Sequence, residues 1–410
     1  MSPKTRVVIV GGGMAGARLA QQLGTAGNTV ITVLAEEPHA PYNRVLLADV
    51  LADRYPADVI ALPRPAGAVT WRGGVRVARI DRAARQVECE DGSATPYDVL
   101  VLATGSSPVL PPLRGLVAGL PEGVHAFRTL DDCLALREAV GEGTRAVVIG
   151  GGLLGVSAAR ALAGRGAGVV VAQQGEYLMD RHLDVGAGQL LHSHLAATGV
   201  EVHTECRVRG LRTEDDRVRG VELADGYELG ADVVVLACGV RPRTGLAREA
   251  GLALGARGGI AVDDRLRTSD PDVYAIGDCA EHDGVLYGLA GAAQEQADAL
   301  ARMLNGTLNG RDDAAGYSGT RSLVRLTLPD GPLDLAAFGE TTPSPGDDVV
   351  QLADATRGAY RKIVVRGDRL LGGILVGDLG SVGTLAHTWE GDEPLPATPL
   401  LHLLTHDGGY

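Results

Sequence analysis

The sequence predicts an α/β fold in which two parallel-sheet units of the same kind are followed by a small α+β domain. The first observation is an apolar run at 7–10 that leads directly into a glycine-rich turn at 11–16. The second is a repeat of this strand, turn and helix pattern at 145–155, which is stronger evidence than either copy alone. The third is a change of texture after about residue 317, where short alternating strands replace the continuous apolar runs.

The first unit carries the pattern Gly11-x-Gly13-x-x-Gly16 between a predicted strand and a predicted helix. Glycines at these positions let the backbone turn sharply and approach a diphosphate closely, and the helix behind them directs the positive end of its dipole at that group. A second strand ends about 20 residues further on, at an acid that is placed to bind a ribose diol. We expect this acid to be Glu36, with Glu37 as the alternative. The pattern therefore predicts a Rossmann-like dinucleotide-binding domain.

The other segments of the first unit fit the same architecture. The segment 38–47 is predicted to be a loop that leads into a short helix. A strand is predicted over 75–81 and a hairpin-like stretch over 86–92. The continuous apolar run at 97–105 is typical of a central parallel strand that is buried on both faces. The proline-rich segment 108–112 then predicts a crossing into another domain.

The second unit repeats the first. Gly150-x-Gly152-x-x-Gly155 again follows an apolar strand, and a second strand is predicted at 168–172. The apolar run 232–239 corresponds to the central strand of the first unit. Two such units in one chain imply two bound dinucleotides.

These patterns divide the chain into three predicted domains. They are a first dinucleotide-binding domain in two parts, 1–113 and 243–318, a second dinucleotide-binding domain at 114–242, and a small α+β domain at 319–410. In the returning part of the first domain, the sequence predicts a strand with a terminal acid at 272–280 and a helix at 291–303.

Composition and charge exclude several classes of function. The net charge of −13 argues against nucleic acid or an anionic membrane surface as a partner. The sequence shows neither a secretory signal nor an apolar run long enough to span a bilayer. Its five cysteines are scattered without a C-x-x-C pair, which fits a reducing cytoplasm and predicts neither an iron–sulfur nor a zinc site.

Two histidine pairs also fail to predict a metal site. His192 and His194 are two residues apart on a predicted helix, so their side chains do not face one another. His402 and His406 have helical spacing, but only Asp407 offers a carboxylate nearby. We therefore expect no metal ligands in this chain.

Taken in order, the motifs resemble those of the two-dinucleotide-binding flavoproteins of the pyridine nucleotide-disulfide oxidoreductase superfamily. The motifs that carry this resemblance are the two glycine loops, Ala103-Thr104-Gly105, and Tyr274-Ala275-Ile276-Gly277-Asp278. Within the superfamily, segment 37–47 is similar to the flavin segment of the large subunit of NAD(P)H-dependent nitrite reductase, and 127–132, 239–243 and 371–378 support that similarity. Rubredoxin and ferredoxin reductases share most of these motifs. The resemblance covers roughly residues 5–380.

The resemblance implies FAD in the first glycine loop and NADH or NADPH, as electron donor, in the second. The positions that would contact FAD are Gly11, Gly13, Met14, Ala15, Gly16, Glu36, Glu37, Arg44, Val77, Ala103, Thr104, Gly105, Arg128, Gly277, Asp278, Gly291 and Ala292. The positions that would contact the nicotinamide nucleotide are Gly150, Gly152, Leu153, Leu154, Gly155, Ser157, Gln173 and Gly239.

Some of the implied FAD contacts have specific roles. Asp278 would bind a ribityl hydroxyl, with a helix N-cap as its alternative role. Arg44 and Arg128 would contact the phosphates or the ring, with surface salt bridges as the alternative. Val77 would offer a backbone contact to adenine, and the helix that begins near Gly291 would direct N–H groups at the flavin pyrimidine. Hydride transfer needs no side-chain acid or base, so we expect no catalytic residue in that sense.

The sequence departs from the resemblance at its cysteines. The segment after the first glycine loop has no cysteine pair, so disulfide reduction by the usual route is not expected. No cysteine follows Cys279, whereas nitrite reductase large subunits continue into cysteine-ligated cluster and sirohaem domains. We therefore expect this chain at most to supply electrons to a separate protein.

Three further departures concern the nicotinamide site. Ser157 stands where relatives carry a glutamate close to the nicotinamide and flavin, and Asp49 stands where electron-transfer reductases often carry the lysine paired with it. The second strand of the repeat ends at Gln173, which can hydrogen-bond a diol but removes charge-based selection of NAD.

The sequence thus predicts an FAD-dependent NAD(P)H oxidoreductase that passes electrons to a ferredoxin-like, rubredoxin-like or nitrite/nitrate reductase-like acceptor. Two alternatives stay open: a flavin oxidase or small-molecule reductase, and a non-autonomous flavoprotein subunit with a degenerate nicotinamide site. Homo-oligomerisation also stays open.

Overall fold

The computed structural model describes residues 4–24, 29–116, 119–308, 315–328, 333–354, 356–377, 379–396 and 399–404. The chain separates into two compact units. The first contains 1–46, 55–107 and 240–320, and the second contains 47–54, 108–239 and 321–410. The chain therefore leaves each unit and returns to it, and the short segment 47–54 belongs to the second unit although both of its neighbours belong to the first.

The helices connect the strands in both units. In chain order they are α1 (Met14–Leu23), α2 (Leu47–Leu51), α3 (Leu130–Ala139), α4 (Leu153–Gly164), α5 (Val185–Ala197), α6 (Gly245–Glu249), α7 (Ala290–Leu308) and α8 (Val382–Glu390). Short 3-10 turns lie at Arg44–Leu46, Gly277–Cys279 and Leu400–Leu404.

The strands are three to nine residues long. Up to the first return of the chain they are β1 (Thr5–Val10), β2 (Thr29–Ala35), β3 (Val69–Gly73), β4 (Val77–Asp81), β5 (Gln86–Cys89), β6 (Ala94–Pro96), β7 (Val99–Leu102) and β8 (Ser106–Pro108). The middle of the chain forms β9 (Val124–Ala126), β10 (Arg145–Ile149), β11 (Gly168–Ala172), β12 (Val200–His203), β13 (Val208–Glu214), β14 (Arg217–Leu223), β15 (Glu228–Gly230) and β16 (Val233–Leu236). The remaining strands are β17 (Val240–Pro242), β18 (Ile260–Val262), β19 (Val273–Ala275), β20 (Ala280–His282), β21 (Leu323–Leu328), β22 (Leu333–Gly339), β23 (Asp348–Asp354), β24 (Ala359–Arg366) and β25 (Arg369–Gly377).

The first unit is built on a parallel sheet in the order β19-β7-β1-β2-β3. Both faces of its central strands are covered, so β1 and β7 read as continuous apolar runs. One face packs under α1 and α7, and the other packs under a small antiparallel sheet of β4, β5 and β6. The predicted strand at 75–81 begins at Val77, and the edge strand β3 was not predicted.

The second unit contains a parallel sheet in the order β12-β11-β10-β16-β9. The four strands β12, β11, β10 and β16 follow one another as β3, β2, β1 and β7 do in the first unit, with a glycine loop after β10 as after β1. This agreement confirms the internal repeat. An antiparallel sheet of β13, β14 and β15 packs over one side of the core.

The C-terminal part of the second unit is an antiparallel sheet in the order β21-β22-β25-β24-β23, with α8 beside it. Phe338 and Trp389 lie in its core with ring centroids 5.2 Å apart. The change of texture after residue 317 therefore marks a real change of architecture, and the α/β fold with a smaller α+β part is confirmed.

Candidate functional site

The first glycine loop has the geometry of a ligand cradle. Gly11 has φ +117°, and a Cβ there would overlap with the carbonyl oxygen of Ala103. A Cβ at Gly16 would overlap with the carbonyl oxygen of Gly11. By contrast, no atom lies within 4 Å of the Cβ position of Gly13. Two glycines are therefore required by packing, and the one between them faces open space where a ligand can approach the backbone.

The helix behind this loop offers unused hydrogen-bond donors. α1 begins at Met14, with Gly13 as its N-cap, and no side chain caps it. Its first turn carries no acidic residue. The N–H groups of a helix start need an acceptor, and the dipole favours an anion there. The cradle and the helix start together suit a diphosphate.

The two candidate ribose-binding acids have different surroundings. Glu36 directly follows β2, and its carboxylate lies 2.6 Å from Nη1 of Arg243 and 3.0 Å from Nη2 of Arg76. Glu37 accepts hydrogen bonds from the Tyr42 hydroxyl at 2.6 Å and from Nη2 of Arg44 at 2.7 Å. Both acids have partners, but the side chain of Glu36 is 42% exposed and that of Glu37 is 27% exposed, so Glu36 is the more accessible candidate.

The two arginines named from the sequence form local contacts. Arg44 pairs with Glu37, and its guanidinium lies 5.1 Å from the ring centroid of Tyr42. Arg128 directly precedes the N-cap of α3, and its backbone N–H donates to Oδ2 of Asp132 at 3.0 Å. The contacts of both arginines with a flavin stay predictions.

The turn that contains Asp278 is fixed from two sides. The Ser106 hydroxyl donates to Oδ2 of Asp278 at 2.8 Å. The N–H of Gly277, which has φ +77°, donates to Oε1 of Gln296 at 2.7 Å. Gln296 extends from α7, is 1% exposed, and donates through Nε2 to the Tyr317 hydroxyl at 3.4 Å. This turn is therefore held in one conformation.

The helix N-cap alternative for Asp278 is wrong. Asp278 lies inside the 3-10 turn Gly277–Cys279, whose N-cap is Ile276, and α7 begins only at Ala290. Gly291 and Ala292 lie in the first turn of α7, as the sequence predicts for a helix directed at the flavin. Their contact with a flavin stays a prediction.

The segment 103–105 closes the end of β7. The Ala103 N–H donates to the carbonyl oxygen of Val10 at 2.8 Å, and the Thr104 hydroxyl donates to the carbonyl oxygen of Arg243 at 2.7 Å. Gly105 has φ +69° with open space at its Cβ position. Val77 begins β4 and is buried, and its backbone contact with adenine stays a prediction.

The second glycine loop repeats the geometry of the first. Gly150 has φ +109°, and a Cβ there would lie 2.5 Å from the carbonyl oxygen of Ala237, while a Cβ at Gly155 would overlap with Gly150. No atom lies within 4 Å of the Cβ position of Gly152. Helix α4 begins at Leu153, followed by Leu154, and no side chain caps it. A second diphosphate therefore fits here for the same physical reasons.

The three residues that depart from the resemblance are engaged within the second unit. The Ser157 hydroxyl donates to the carbonyl oxygen of Leu153 at 2.8 Å, one turn back in α4. Oδ1 of Asp49 lies 3.5 Å from Nη2 of Arg160 and 3.3 Å from Nη1 of Arg54. Arg160 is 4% exposed, so α2 and α4 are joined by an acid on α2 and a buried base on α4.

Gln173 does not extend into open space. Its Oε1 accepts from the Gly151 N–H at 2.8 Å, and its Nε2 donates to Oδ2 of Asp180 at 3.2 Å. Gly239, after β16, is exposed with φ +98°, and its carbonyl oxygen accepts from Val109. The amide of Gln173 is therefore used by the loop itself, and its predicted contact with a ribose is not supported by this arrangement.

The cysteines have the properties of packing residues. All five are free, and Cys89, Cys133 and Cys279 are buried. Burial raises the pKa of the thiols of Cys133 and Cys238 to about 11. Burial also raises the pKa of the thiols of Cys206 and Cys279. These four thiols are protonated at neutral pH and are poor nucleophiles.

The described part of the chain lacks two features. It contains no group of three or more His, Cys, Asp or Glu side chains that could hold a metal ion. His406 and Asp407 lie outside the described residues. None of the described helices combines the length and the apolar character that crossing a bilayer requires.

Comparison with protein families decides the family. Residues 5–297 match the pyridine nucleotide-disulphide oxidoreductases. The chain belongs to this family. Residues 332–389 match the C-terminal domain of rubredoxin NAD+ reductase. Proteins of this pyridine nucleotide-disulphide oxidoreductase family use FAD, with NADH or NADPH as the electron donor.

The relatives differ in how much of their own length this chain covers. Nitrite reductase [NAD(P)H] of Bacillus subtilis is 35% identical over 381 residues, which are 92% of this chain and 46% of that protein. The probable ferredoxin reductase of Castellaniella defragrans is 32% identical over 387 residues, which are 90% of each chain. The chain spans 41% to 48% of the length of the nitrite and nitrate reductase relatives from Bacillus, Klebsiella and Escherichia.

A solved structure resembles the whole chain. The putidaredoxin reductase in its covalent complex with putidaredoxin has a TM-score of 0.85 and 25% identity, and the match covers 98% of this chain and 99% of that one. The similarity to the flavin module of nitrite reductase and to ferredoxin reductases, predicted from the sequence, is confirmed.

Several residues at these sites were not predicted from the sequence. They are Arg76, Ser106, Arg160, Asp180, Arg243 and Gln296. Arg243 ends the segment 239–243 that supports the resemblance, so a signal existed for it. The others are brought to the sites by chain segments far away in the sequence or by loop folding, and no local pattern marks them.

Proposed function

We propose that this chain is an FAD-dependent oxidoreductase that takes electrons from NADH or NADPH and passes them to a separate redox protein. The observation that carries this proposal is the pair of glycine cradles in one chain, each open at its middle glycine and each backed by an uncapped helix. A diphosphate-containing nucleotide is the ligand that such a cradle fits best. Two cradles support one resident dinucleotide and one exchangeable dinucleotide.

The residues of the first unit fit FAD. The open face at Gly13 and the start of α1 would take the diphosphate, and Glu36 would take the adenosine ribose. Asp278, held by Ser106, would bind a ribityl hydroxyl. Helix α7 would direct its N-terminal N–H groups at the ring, which favours negative charge there.

The flavin, when bound, supplies the chemistry of accepting two electrons together and releasing them singly. The residues of this chain would bind and orient the two nucleotides. They need not move a proton for hydride transfer, and none of the side chains discussed above is assigned such a role.

We infer a protein acceptor rather than a disulfide. The segment 43–54 contains no cysteine, and the raised pKa values of four thiols disfavour thiolate chemistry. Similar proteins include an assimilatory nitrate reductase electron transfer subunit and reductases for putidaredoxin or rubredoxin. A ferredoxin-like or rubredoxin-like protein, or a separate reductase subunit, is the proposed acceptor. We place the protein in the cytoplasm, where free thiols persist.

Anaerobic titration of the purified protein with NADH and with NADPH tests this proposal. We expect a yellow preparation whose flavin absorbance is bleached by at least one of the two nucleotides. Re-oxidation by an added ferredoxin or rubredoxin in the absence of oxygen would identify the acceptor class. A colourless preparation that cannot be reconstituted with FAD would contradict the proposal.

A second candidate is a flavoprotein subunit whose nicotinamide site is inactive. Three side chains at the nicotinamide site favour this candidate, because each already has a partner within the protein. They are Ser157, Asp49 and Gln173. A yellow protein that neither nucleotide bleaches would select this candidate. Bleaching followed by oxygen uptake without any protein acceptor would instead select a flavin oxidase.

A further inference from the structure

The loop after β11 folds back onto the second glycine loop. The Met179 N–H donates to the carbonyl oxygen of Gly151 at 2.9 Å. Leu178 is fully buried, and a Cβ at Gly151 would lie 2.5 Å from its Cδ2. This backbone hydrogen bond and the buried side chain of Leu178 therefore hold the loop against the second glycine turn, where a second dinucleotide would bind.

Gln173 connects this loop with the glycine turn. It directly follows β11, at the position where a Rossmann-like domain presents an acid to the adenosine ribose. Its Oε1 accepts from the Gly151 N–H at 2.8 Å, so its Nε2 points away from the turn and donates to Oδ2 of Asp180 at 3.2 Å. The neutral amide of Gln173 thus stands where other Rossmann-like domains carry an acid, and it holds the carboxylate of Asp180 next to it.

The carboxylate of Asp180 lies beside Gln173 and Gly175, two residues that closely follow β11. A Cβ at Gly175 would overlap with Oδ2 of Asp180, so the absence of a side chain at Gly175 makes room for this carboxylate. Asp180 is exposed, and among the described residues its only hydrogen bond is the one from Gln173. One carboxylate oxygen is therefore held by the protein, and the other can accept from a ligand hydroxyl.

We propose that Asp180, presented by Gln173, is the specificity-determining residue of the second nucleotide site, and that it selects NADH over NADPH. This inference rests on the proposed function. A carboxylate accepts hydrogen bonds from a ribose diol, whereas it repels a 2′-phosphate, which carries a charge of about −1.5 to −2 at neutral pH. The charge that the sequence lacks at the end of β11 is thus supplied from the following loop.

The neighbouring residue Arg181 is the rival feature, because a guanidinium binds phosphate well. Arg181 is exposed and forms no ion pair with any described residue. No ion pair among the described residues holds its guanidinium, whereas the carboxylate of Asp180 is held next to the glycine turn through Gln173. The geometry therefore favours Asp180 over Arg181 as the residue that selects the nucleotide.

Calorimetric titration of the flavin-loaded protein with ADP-ribose and with 2′-phospho-ADP-ribose tests this inference without turnover. We expect wild-type protein to bind ADP-ribose at least about tenfold more tightly. Asp180→Asn keeps an acceptor for Gln173 and removes only the charge, so the preference should fall by about tenfold, mainly through tighter binding of the phosphorylated ligand. Glu176→Gln, which removes another exposed acid of the same loop, is the matched control and should keep the wild-type ratio.

The possible results distinguish a failure of the role given to Asp180 from a failure of the proposed function. An unchanged ratio in Asp180→Asn, with flavin content and circular dichroism as in wild type, would overturn the inference. A wild-type preference for the phosphorylated ligand that Arg181→Ala abolishes would overturn it in favour of Arg181. Failure of both ligands to bind wild-type protein would instead remove the nicotinamide nucleotide from the proposed function itself.

Discussion

Ser106 and Asp278 show how one hydrogen bond can prepare a binding residue. Ser106 is 7% exposed and donates to the carboxylate of Asp278, so one oxygen of that carboxylate is fixed before any ligand arrives. The adjacent N–H of Gly277 is satisfied by Gln296. The turn is therefore rigid, which lowers the entropy lost when a ligand hydroxyl binds.

Asp278→Ala should therefore release the flavin. The substitution removes the acceptor for a ligand hydroxyl, and it also removes the hydrogen bond that the Ser106 hydroxyl donates to the carboxylate. The flavin-to-protein ratio after gel filtration measures the effect. Asp278→Asn retains an acceptor oxygen and should retain more flavin than Asp278→Ala.

Ser106→Ala separates the contribution of the Asp278 carboxylate from that of the hydroxyl that holds it in place. It removes the hydroxyl that holds Asp278 and leaves the carboxylate in place. We expect weaker flavin retention than in wild type and stronger retention than in Asp278→Ala. Full flavin occupancy in Asp278→Ala would contradict the role given to this residue.

At the scale of elements, Asp184 joins a helix of the second unit to the C-terminal sheet. It is the N-cap of α5 and accepts from the Ala187 N–H at 3.1 Å. The same carboxylate accepts from the Tyr360 hydroxyl at 2.6 Å and from Nζ of Lys362 at 2.9 Å, both on β24. One side chain thus caps the start of a helix and pairs with a nearly buried lysine.

The stability that Asp184 provides should depend on pH in a defined direction. Burial by itself raises the pKa of Asp184, but hydrogen bonds from Tyr360, Lys362 and a backbone N–H outweigh it, so the net pKa is lowered. A carboxyl with a lowered pKa in the folded state stabilises the protein above its unfolded value of about 3.9. That contribution is lost as the pH falls through the folded pKa.

Asp184→Asn tests this dependence, because asparagine keeps the cap but cannot carry the charge. At neutral pH we expect a loss of about 2 kcal/mol, seen as a lower urea midpoint, because the ammonium of Lys362 loses its charged partner. The difference in the free energy of unfolding between variant and wild type should shrink as the pH falls below about 4. A gap of constant size at all pH values would rule out the charge as its source.

The secondary structure elements differ in how clearly the sequence marked them. Strands β7 and β16 are buried on both faces, and their continuous apolar runs were recognised. The edge strand β3 was missed because its residues are only partly buried and its sequence does not alternate clearly. A short helix was expected here, but the place of α2 in the second unit was not, because that depends on its packing against α3 and α4.

At the scale of the whole molecule, the cysteines decide against disulfide chemistry. They lie at scattered positions in both units and none is in a disulfide. Burial holds the pKa of Cys133 and Cys238 at about 11, so only about one thiol in 10,000 is ionised at neutral pH. A reaction that runs through a thiolate is not expected from such residues.

Alkylation of the protein after reduction by NADH tests this expectation. Iodoacetamide reacts with thiolates, so a redox-active cysteine pair exposed by reduction would be blocked and turnover would stop. We expect the rate of flavin bleaching in a second cycle to be unchanged, because the flavin passes electrons on without a thiol. Inactivation that requires prior reduction would instead reveal a redox-active cysteine of the protein itself.

The sequence by itself determined the repeated α/β architecture, both glycine cradles and the family, because these depend on local patterns: apolar runs, and glycines where a Cβ would overlap with backbone. Only the tertiary structure decided what surrounds the cradles. It gave Glu36 two arginine partners, closed the Asp278 turn with Gln296, and placed the carboxylate of Asp180 beside Gln173. These contacts join residues that lie far apart in the chain or on the folded-back loop after β11, and their positions depend on how the backbone folds rather than on the spacing of any motif.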